Sequence, residues 1–297
     1  MAFWELTVAT SEETSEGLTN FLWEHGALGV VEEARPGVPA RLRAFFGDTA
    51  SSSSFLTGIR EYLAGLSALG LPVADGDPRI APLHEEAWAS AWQQSFPPRE
   101  VGARLLVLPP WEAAEGAGAA HGGRVPVVIE PGRVFGTGQH GSTEGCLALL
   151  EAALGSGPVC RVVDIGTGTG ILAVAAVKLG AGRVLAIDVD PDAIAAAEAN
   201  AERNRCAARI DLALAGPESL AGDPPFPLIL ANLLGHTHLA LAGQYRRLST
   251  PDGALVLGGM LADEEVPVIA AMERGGFAPT ASQLADGWVS LLLRRRA

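Results

Sequence analysis

The run Val162-Val163-Asp164-Ile165-Gly166-Thr167-Gly168-Thr169-Gly170-Ile171-Leu172 constrains this chain more than any other stretch. A β-branched apolar segment ends in an acid, glycine then takes every second position, and an Ala/Val/Leu pattern of helical period follows. That order is strand, tight turn and helix N-terminus, the construction with which α/β proteins hold nucleotides. Asp188 closes the next apolar run, Val184-Leu185-Ala186-Ile187. It stands about twenty residues further on, the usual place for an acid that binds ribose hydroxyls.

The two acids narrow which nucleotide is meant. A dinucleotide would lay its pyrophosphate over the helix N-terminus, and the Asp164 carboxylate beside the turn would repel it. S-adenosylmethionine carries a sulfonium and an ammonium and no phosphate. The spacing is GxGxG rather than GxGxxG, and the nearby basic residues, Arg161 and Lys178, flank the motif at a distance. These features favour S-adenosylmethionine over a nicotinamide cofactor. The alternative is a doubly wound sheet whose glycines make only a tight turn.

Charge and cysteine usage bound the rest. With a net charge of −13, the 297-residue chain is poorly suited to gripping a polyanion, which needs clustered Lys and Arg. An acidic surface suits a basic protein partner, and it serves solubility equally well. Cys146, Cys160 and Cys206 are odd in number and nowhere form CxxC, so free thiols are expected and no metal site. The first residues lack a basic region of the secretory kind, and no apolar run is long enough to span a bilayer. A cytoplasmic protein without a membrane partner is expected.

Taken in order, residues 1–74 predict a small α+β domain of the ferredoxin-like, βαββαβ kind. Its strands are expected at 3–8, 27–33 and 40–46, with a weak fourth at Leu71-Pro72-Val73. One helix starts at Thr10 or Ser11, with Leu18, Phe21, Leu22 and His25 inward; the other starts in the serines 51–54, with Phe55, Ile59, Leu63, Leu66 and Leu69 inward. With no glycine loop or acid cluster, this unit reads as a substrate-recognition module, the alternative being plain support of the second domain. Residues 75–98 read as a linker and a linker helix that carries Trp88 and Trp92 on one face, for packing between domains.

Residues 99–297 predict the larger domain. Strands at 103–108 and 125–130 flank a flexible Gly/Ala stretch over 112–123. The polar, glycine-rich run 131–143 fits no regular element and is a candidate lid or cofactor clamp. Thr143 would cap the helix that follows, to 154, and offer its hydroxyl to the cofactor. Beyond Asp188 come a helix 191–203, strands 209–214 and 228–232, a helix to 248, a strand 254–257 and a helix 263–274. Two last strands, 277–283 and 288–293, are joined by Ala285-Asp286-Gly287, a hairpin signal. A Rossmann-like, mostly parallel sheet with an antiparallel hairpin is the architecture of class I methyltransferases. Asn232 stands at the carboxyl end of its strand, the edge where open sheets bind ligands.

Several stretches then resemble one family. Glu130-Pro131-Gly132 with Phe135-Gly136-Thr137-Gly138, then His140, Ser142 and Thr143, resembles the DPGxAFGTGxHxTT signature of the ribosomal protein L11 methyltransferase (PrmA) family. The Asp164 turn, Ala186-Ile187-Asp188-Val189-Asp190-Pro191, Asn200 with Asn204, and Ala231-Asn232-Leu233-Leu234 are similar to the stretches that follow in that family. The likeness covers residues 82–297; the first unit agrees in architecture only. Ser142 replaces the first threonine of the signature's closing pair, and Gly235-His236-Thr237-His238 departs from the usual continuation at the acceptor rim.

The resemblance implies transfer of methyl groups from S-adenosylmethionine to lysine side-chain and N-terminal amines of ribosomal protein L11, free or on the ribosome. A different protein or a small-molecule amine is the alternative acceptor. Only a neutral amine attacks a sulfonium methyl. At pH 7 a lysine of pKa about 10.4 pays roughly 4.6 kcal/mol to be neutral, an α-amine of pKa about 8 near 1.4. Desolvation and the adjacent sulfonium lower that cost, so no strong base is required. Thr143, Asp164, Gly166, Gly168, Gly170, Asp188 and Asn232 are the expected cofactor-binding residues, with Asp188 on the ribose and Asp164 near the cationic end. Asn232 is also the expected catalytic residue, its amide oxygen orienting the amine. His140 is a candidate proton relay or simply a structural loop histidine. His236 and His238, two apart, do not share a helix face as metal ligands would.

Overall fold

The computed structural model of the chain describes residues 3–27, 29–35, 38–47, 52–74, 76–83, 93, 96–114, 116–155, 157 and 159–296. They form two compact units, Met1–Phe96 and Pro97–Ala297.

In the first unit, strands β1 (Phe3–Ala9), β2 (Gly29–Arg35), β3 (Val38–Gly47) and β4 (Arg79–Leu83) alternate with helices α1 (Glu12–Glu24) and α2 (Ser52–Ala68). The sheet runs β2-β3-β1-β4, with every pairing antiparallel. Period-two alternation places Trp4, Leu6 and Val8 beside Phe46, Ala44 and Leu42. All six pack with Leu18, Leu22, Phe55 and Ile59 in one core. On the other face of the sheet the Arg43 guanidinium bridges the Glu5 and Glu33 carboxylates and lies over the buried Phe45 ring. Ser11 caps α1 as expected.

Two expectations fail in this unit. Leu71-Pro72-Val73 is not a strand, and residues 79–83 are not linker but β4, paired with β1 from Thr7↔Arg79 to Phe3↔Leu83. A three-residue run centred on proline lacks a donor for the ladder, whereas the longer segment reaches along β1 as an edge strand, where Pro82 is tolerated. The Pro72 carbonyl instead accepts the Ser11 hydroxyl, at 2.7 Å. The expected linker helix with Trp88 and Trp92 lies outside the described residues.

The second unit opens with a three-stranded sheet, β5 (Arg99–Val101), β6 (Leu105–Leu108) and β7 (Val125–Val128). Between β6 and β7 the stretch expected to be flexible instead carries helical turns at Pro110–Glu112 and Ala117–Ala120. Arg124 ties its end back to the carbonyls of Val101, Gly102 and Leu105. Helix α3 (Gly141–Leu154) then leads into β8 (Arg161–Ile165), α4 (Ile171–Leu179), β9 (Arg183–Asp188), α5 (Pro191–Arg203), β10 (Ile210–Leu214) and β11 (Phe226–Asn232). The chain ends with α6 (Gly235–Leu248), β12 (Ser249–Leu261), α7 (Glu265–Arg274), β13 (Phe277–Ala285) and β14 (Trp288–Arg295).

These strands build a seven-stranded sheet in the order β10-β9-β8-β11-β12-β14-β13. β8 to β12 are parallel; β14 runs antiparallel to both β12 and β13. Strand residues alternate between two cores. Val162, Leu228, Leu230 and Val256 face α3 and α4, while Val163, Ile229, Leu255 and Leu257 face α6 and α7. The order reverses between β8 and β11, a topological switch point, the place where open sheets bind ligands outside the carboxyl ends of their strands. Among the described residues no helix is long and apolar enough to cross a membrane.

Candidate cofactor site

The glycine turn leaves β8 at that switch point. Gly166, Gly168 and Gly170 all have positive φ, at 72°, 54° and 78°. At Gly168 the requirement is also steric, since a Cβ there would lie 2.5 Å from the Phe135 carbonyl oxygen. The contact has a purpose. The Thr169 N–H donates to the Phe135 carbonyl at 3.0 Å, and its hydroxyl donates to the Gly136 carbonyl at 2.6 Å. The two glycine-rich stretches singled out in the sequence are therefore docked on one another, close enough that only glycine fits at the crossing.

The two acids are held differently. Asp164 is 1% exposed. Its Oδ2 accepts the Thr167 hydroxyl at 2.7 Å, and its Oδ1 has no hydrogen-bond partner. Burial, with the Asp188 charge adding, pushes its pKa up to about 7 against the Thr167 hydroxyl and the Ala173 amide, which lower it. A carboxyl that titrates near neutrality in the free protein fits the sequence expectation of a cationic guest, which would favour its ionised form. Asp188 instead accepts the Gly168 N–H at 2.9 Å and the Asp190 N–H at 3.1 Å, which leaves lone pairs for a ligand.

Beside Asp188 stand two residues that sequence reasoning passed over. Val189 is 75% exposed, and Leu214, in register with Asp188, is 58% exposed. Both are apolar side chains bared at the carboxyl ends of neighbouring strands. The legible signal was Val189, an apolar residue set between two acids.

Thr143 is not the cap of α3. His140 is, with extended backbone (φ −86°, ψ 138°) and its Nδ1 accepting from the Ser142 N–H at 3.3 Å and the Ser142 hydroxyl at 2.8 Å. An Nδ1 that accepts places the ring proton on Nε2, and burial lowers the ring's pKa against the pull of Asp286. Thr143, now in the first turn and fully buried, accepts instead from the Asn232 Nδ2 at 3.4 Å. That bond turns the Asn232 amide so that its Oδ1 is left without a partner. Asn232 ends β11, one position past the pair Ala231↔Ile165, so its amide lies beside the start of the glycine turn. The site thus brings together Thr143, Asp164, Gly166, Gly168, Gly170, Asp188 and Asn232, with His140 at the helix start.

His238 is buried, with Nε2 donating to the Gly258 carbonyl at 2.8 Å and Nδ1 accepting the Tyr245 hydroxyl at 2.9 Å. Both ring nitrogens are used by the protein. Among the described residues no His, Cys, Asp and Glu cluster of metal-binding size occurs.

The family model described as ribosomal protein L11 methyltransferase (PrmA) matches residues 2–296. A ribosomal protein L11 methyltransferase of Trichlorobacter lovleyi is 34% identical, covering 99% of this chain and 98% of the relative. One of Symbiobacterium thermophilum is 39% identical over 80% of this chain and 73% of its own length. Among solved structures, a ribosomal protein L11 methylase from Lactobacillus delbrueckii subsp. bulgaricus superposes with a TM-score of 0.60 at 29% identity. It covers 67% of this chain and is itself covered to 99%.

Proposed function

The chain belongs to the ribosomal protein L11 methyltransferase family, and from that premise we propose that it methylates lysine side-chain and N-terminal amines of ribosomal protein L11. It is an S-adenosylmethionine-dependent methyltransferase. The observation that carries the site assignment is a pair of buried oxygens without partners, Asp164 Oδ1 and Asn232 Oδ1, on neighbouring strands at the switch point. Buried acceptors are rarely left empty, because each costs about 1–3 kcal/mol. Two acceptors fit a ligand that brings positive charge and N–H donors, and they do not fit a pyrophosphate.

S-adenosylmethionine, when bound, supplies a methyl group activated on a sulfonium. The chain's own residues do the rest. Asp188 takes the ribose hydroxyls on the lone pairs its backbone amides leave free, and Val189 and Leu214 wall the adenine. Asp164, ionised by the cationic methionine end, holds that end against the turn. Asn232 accepts an N–H of the incoming neutral amine on Oδ1 and so aims the nitrogen lone pair, while Thr143 fixes the amide's rotation. Catalysis is then alignment in a desolvated cleft, and the proton leaves to solvent. His140, as the neutral cap of α3, orders the loop 131–140.

We read the first unit as a ferredoxin-like recognition domain, joined to a catalytic domain whose sheet ends in the β13–β14 hairpin. Its strand order β2-β3-β1-β4 supports the fold reading, and the chain's net charge of −13 suits gripping a basic ribosomal protein in the cytoplasm, rather than RNA or a membrane. Mass spectrometry of ribosomal proteins from cells with and without this chain tests the reading. Methylation of L11 amines is expected to depend on it. Unmodified L11 in both, or a mass change on a different protein, would overturn the acceptor. A chain lacking residues 1–96 is expected to bind S-adenosylmethionine and lose transfer to L11; retained transfer would remove the recognition role.

A further inference from the structure

Asn200 is none of the residues assigned to the cofactor, yet its amide joins the glycine turn to the root of the loop 131–140. It lies on α5, 1% exposed. Its Nδ2 donates to the Thr169 carbonyl at 2.9 Å, and its Oδ1 accepts the Glu130 N–H at 3.1 Å. The Arg203 guanidinium adds a bond to that Oδ1 at 2.8 Å and pairs with the Glu130 carboxylate at 2.7 Å. Thr169 is the turn residue whose N–H and hydroxyl grasp Phe135 and Gly136 on its other side. Glu130 is the root from which that same loop leaves β7. Helix α5 is seated hard against the turn, since a Cβ at Gly170 would come within 3.0 Å of the Ala197 Cβ.

The position demands a donor and an acceptor on one short side chain. An amide supplies both; a carboxylate lacks the donor and an aliphatic lacks each. Asn204, one turn on, offers the contrast. Its Oδ1 accepts from the Val128 N–H at 2.9 Å, and its Nδ2 donates to the Val128 carbonyl and to the Asn200 carbonyl of its own helix. It clips β7 to α5 and reaches neither loop.

We infer that Asn200 is a positioning residue for cofactor binding, fixing the spacing between the glycine turn and the root of the loop 131–140 so that both present one surface to the ligand. The inference rests on the reading of that cleft as the S-adenosylmethionine site. Small displacements of positioning groups are costly, so the effect is expected in affinity for the ligand, through the turn and the loop that Asn200 joins.

Calorimetric titration of the full chain with S-adenosylmethionine tests it, alongside thermal melts and steady-state kinetics. For Asn200→Ala the dissociation constant and the KM for the cofactor are expected to rise tenfold or more, with kcat at saturation within threefold of the unaltered chain. Asn200→Asp keeps the acceptor for Glu130 and loses the donor to Thr169; it is expected to weaken binding too. Asn204→Ala is expected to lower the melting temperature with the dissociation constant within twofold. Asn200 variants that melt earlier but bind as tightly as the unaltered chain overturn the inference, and so do Asn200 variants that do not fold. Absence of binding by the unaltered chain would remove the underlying site assignment, a separate outcome.

Discussion

The two sides of β8 solve the same problem in opposite ways. Toward β9, the Asp188 carboxylate is already held by two backbone amides, and a ligand completes a site that the protein has half filled. Toward β11, Asp164 Oδ1 and Asn232 Oδ1 are buried and accept no well-formed hydrogen bond. Preorganised acceptors bind a ligand without rearranging. Unpartnered ones leave the free protein with a cost that only the right ligand removes. On the proposed reading the β9 side is the anchor, and the β11 side is where charge and chemistry are read.

That contrast predicts the largest effect at Asn232. In Asn232→Ala the rate of methyl transfer in a single turnover is expected to fall by about 10²–10³, the scale of losing one preorganised polar group at a reacting centre. The dissociation constant for the cofactor, measured by calorimetry, should stay within a few-fold. An equal loss in affinity and rate would erase the division between the two sides. Asp188→Ala reverses the pattern: binding is expected to weaken by roughly 10–100-fold, as hydrogen bonds to a charged group of about 1.5–3 kcal/mol predict. Turnover at saturating cofactor should then be largely kept.

The asymmetry also has a pH signature. Asp164 titrates near 7 in the free protein because it is buried. A cationic ligand favours the ionised form and so lowers that pKa in the complex. Affinity should rise with pH up to about 7, by at most tenfold per unit, and level off above it, with proton release on binding below pH 7. Folding carries the same group with its own sign. Between the carboxyl's unfolded value near 4 and about 7 the folded state binds the extra proton, so stability of the free protein falls as pH rises through that window. Titrations in buffers of different ionisation enthalpy measure the proton release. Asp164→Asn should flatten the affinity profile; a profile that persists would assign the titration to another group.

How much of this was legible depended on whether a feature is local. The turn was, because three glycines of positive φ and an acid at a strand end are written in consecutive residues. The helix over residues 191–203 was, to the residue, since Asp190 caps it and Pro191 suits its first position. The docking of Thr169 on Phe135 and Gly136 was not, since it joins residues 33 apart and on separate motifs. Neither was β4, whose pairing with β1 is set by the distant Leu6↔Ile80 register rather than by its own pattern. The empty valences of Asp164 and Asn232 are legible in no sequence at all. They exist only as what the surrounding chain fails to supply.

His140 is where local and non-local readings part, and it carries the smallest expected effect. A histidine in a polar loop before a helix left two readings open, a proton relay or a structural loop residue, and in the structure its Nδ1 caps α3. Asparagine caps helices as well as any residue and cannot relay a proton near neutral pH. His140→Asn is therefore expected to keep kcat within about twofold, while His140→Ala loses a cap bond and about 1 kcal/mol of stability. Kinetics and melting curves of the pair separate the roles. A rate loss beyond tenfold in the asparagine variant, with an unchanged melting temperature, would return the histidine to the chemistry and place a proton-handling group on the β11 side after all.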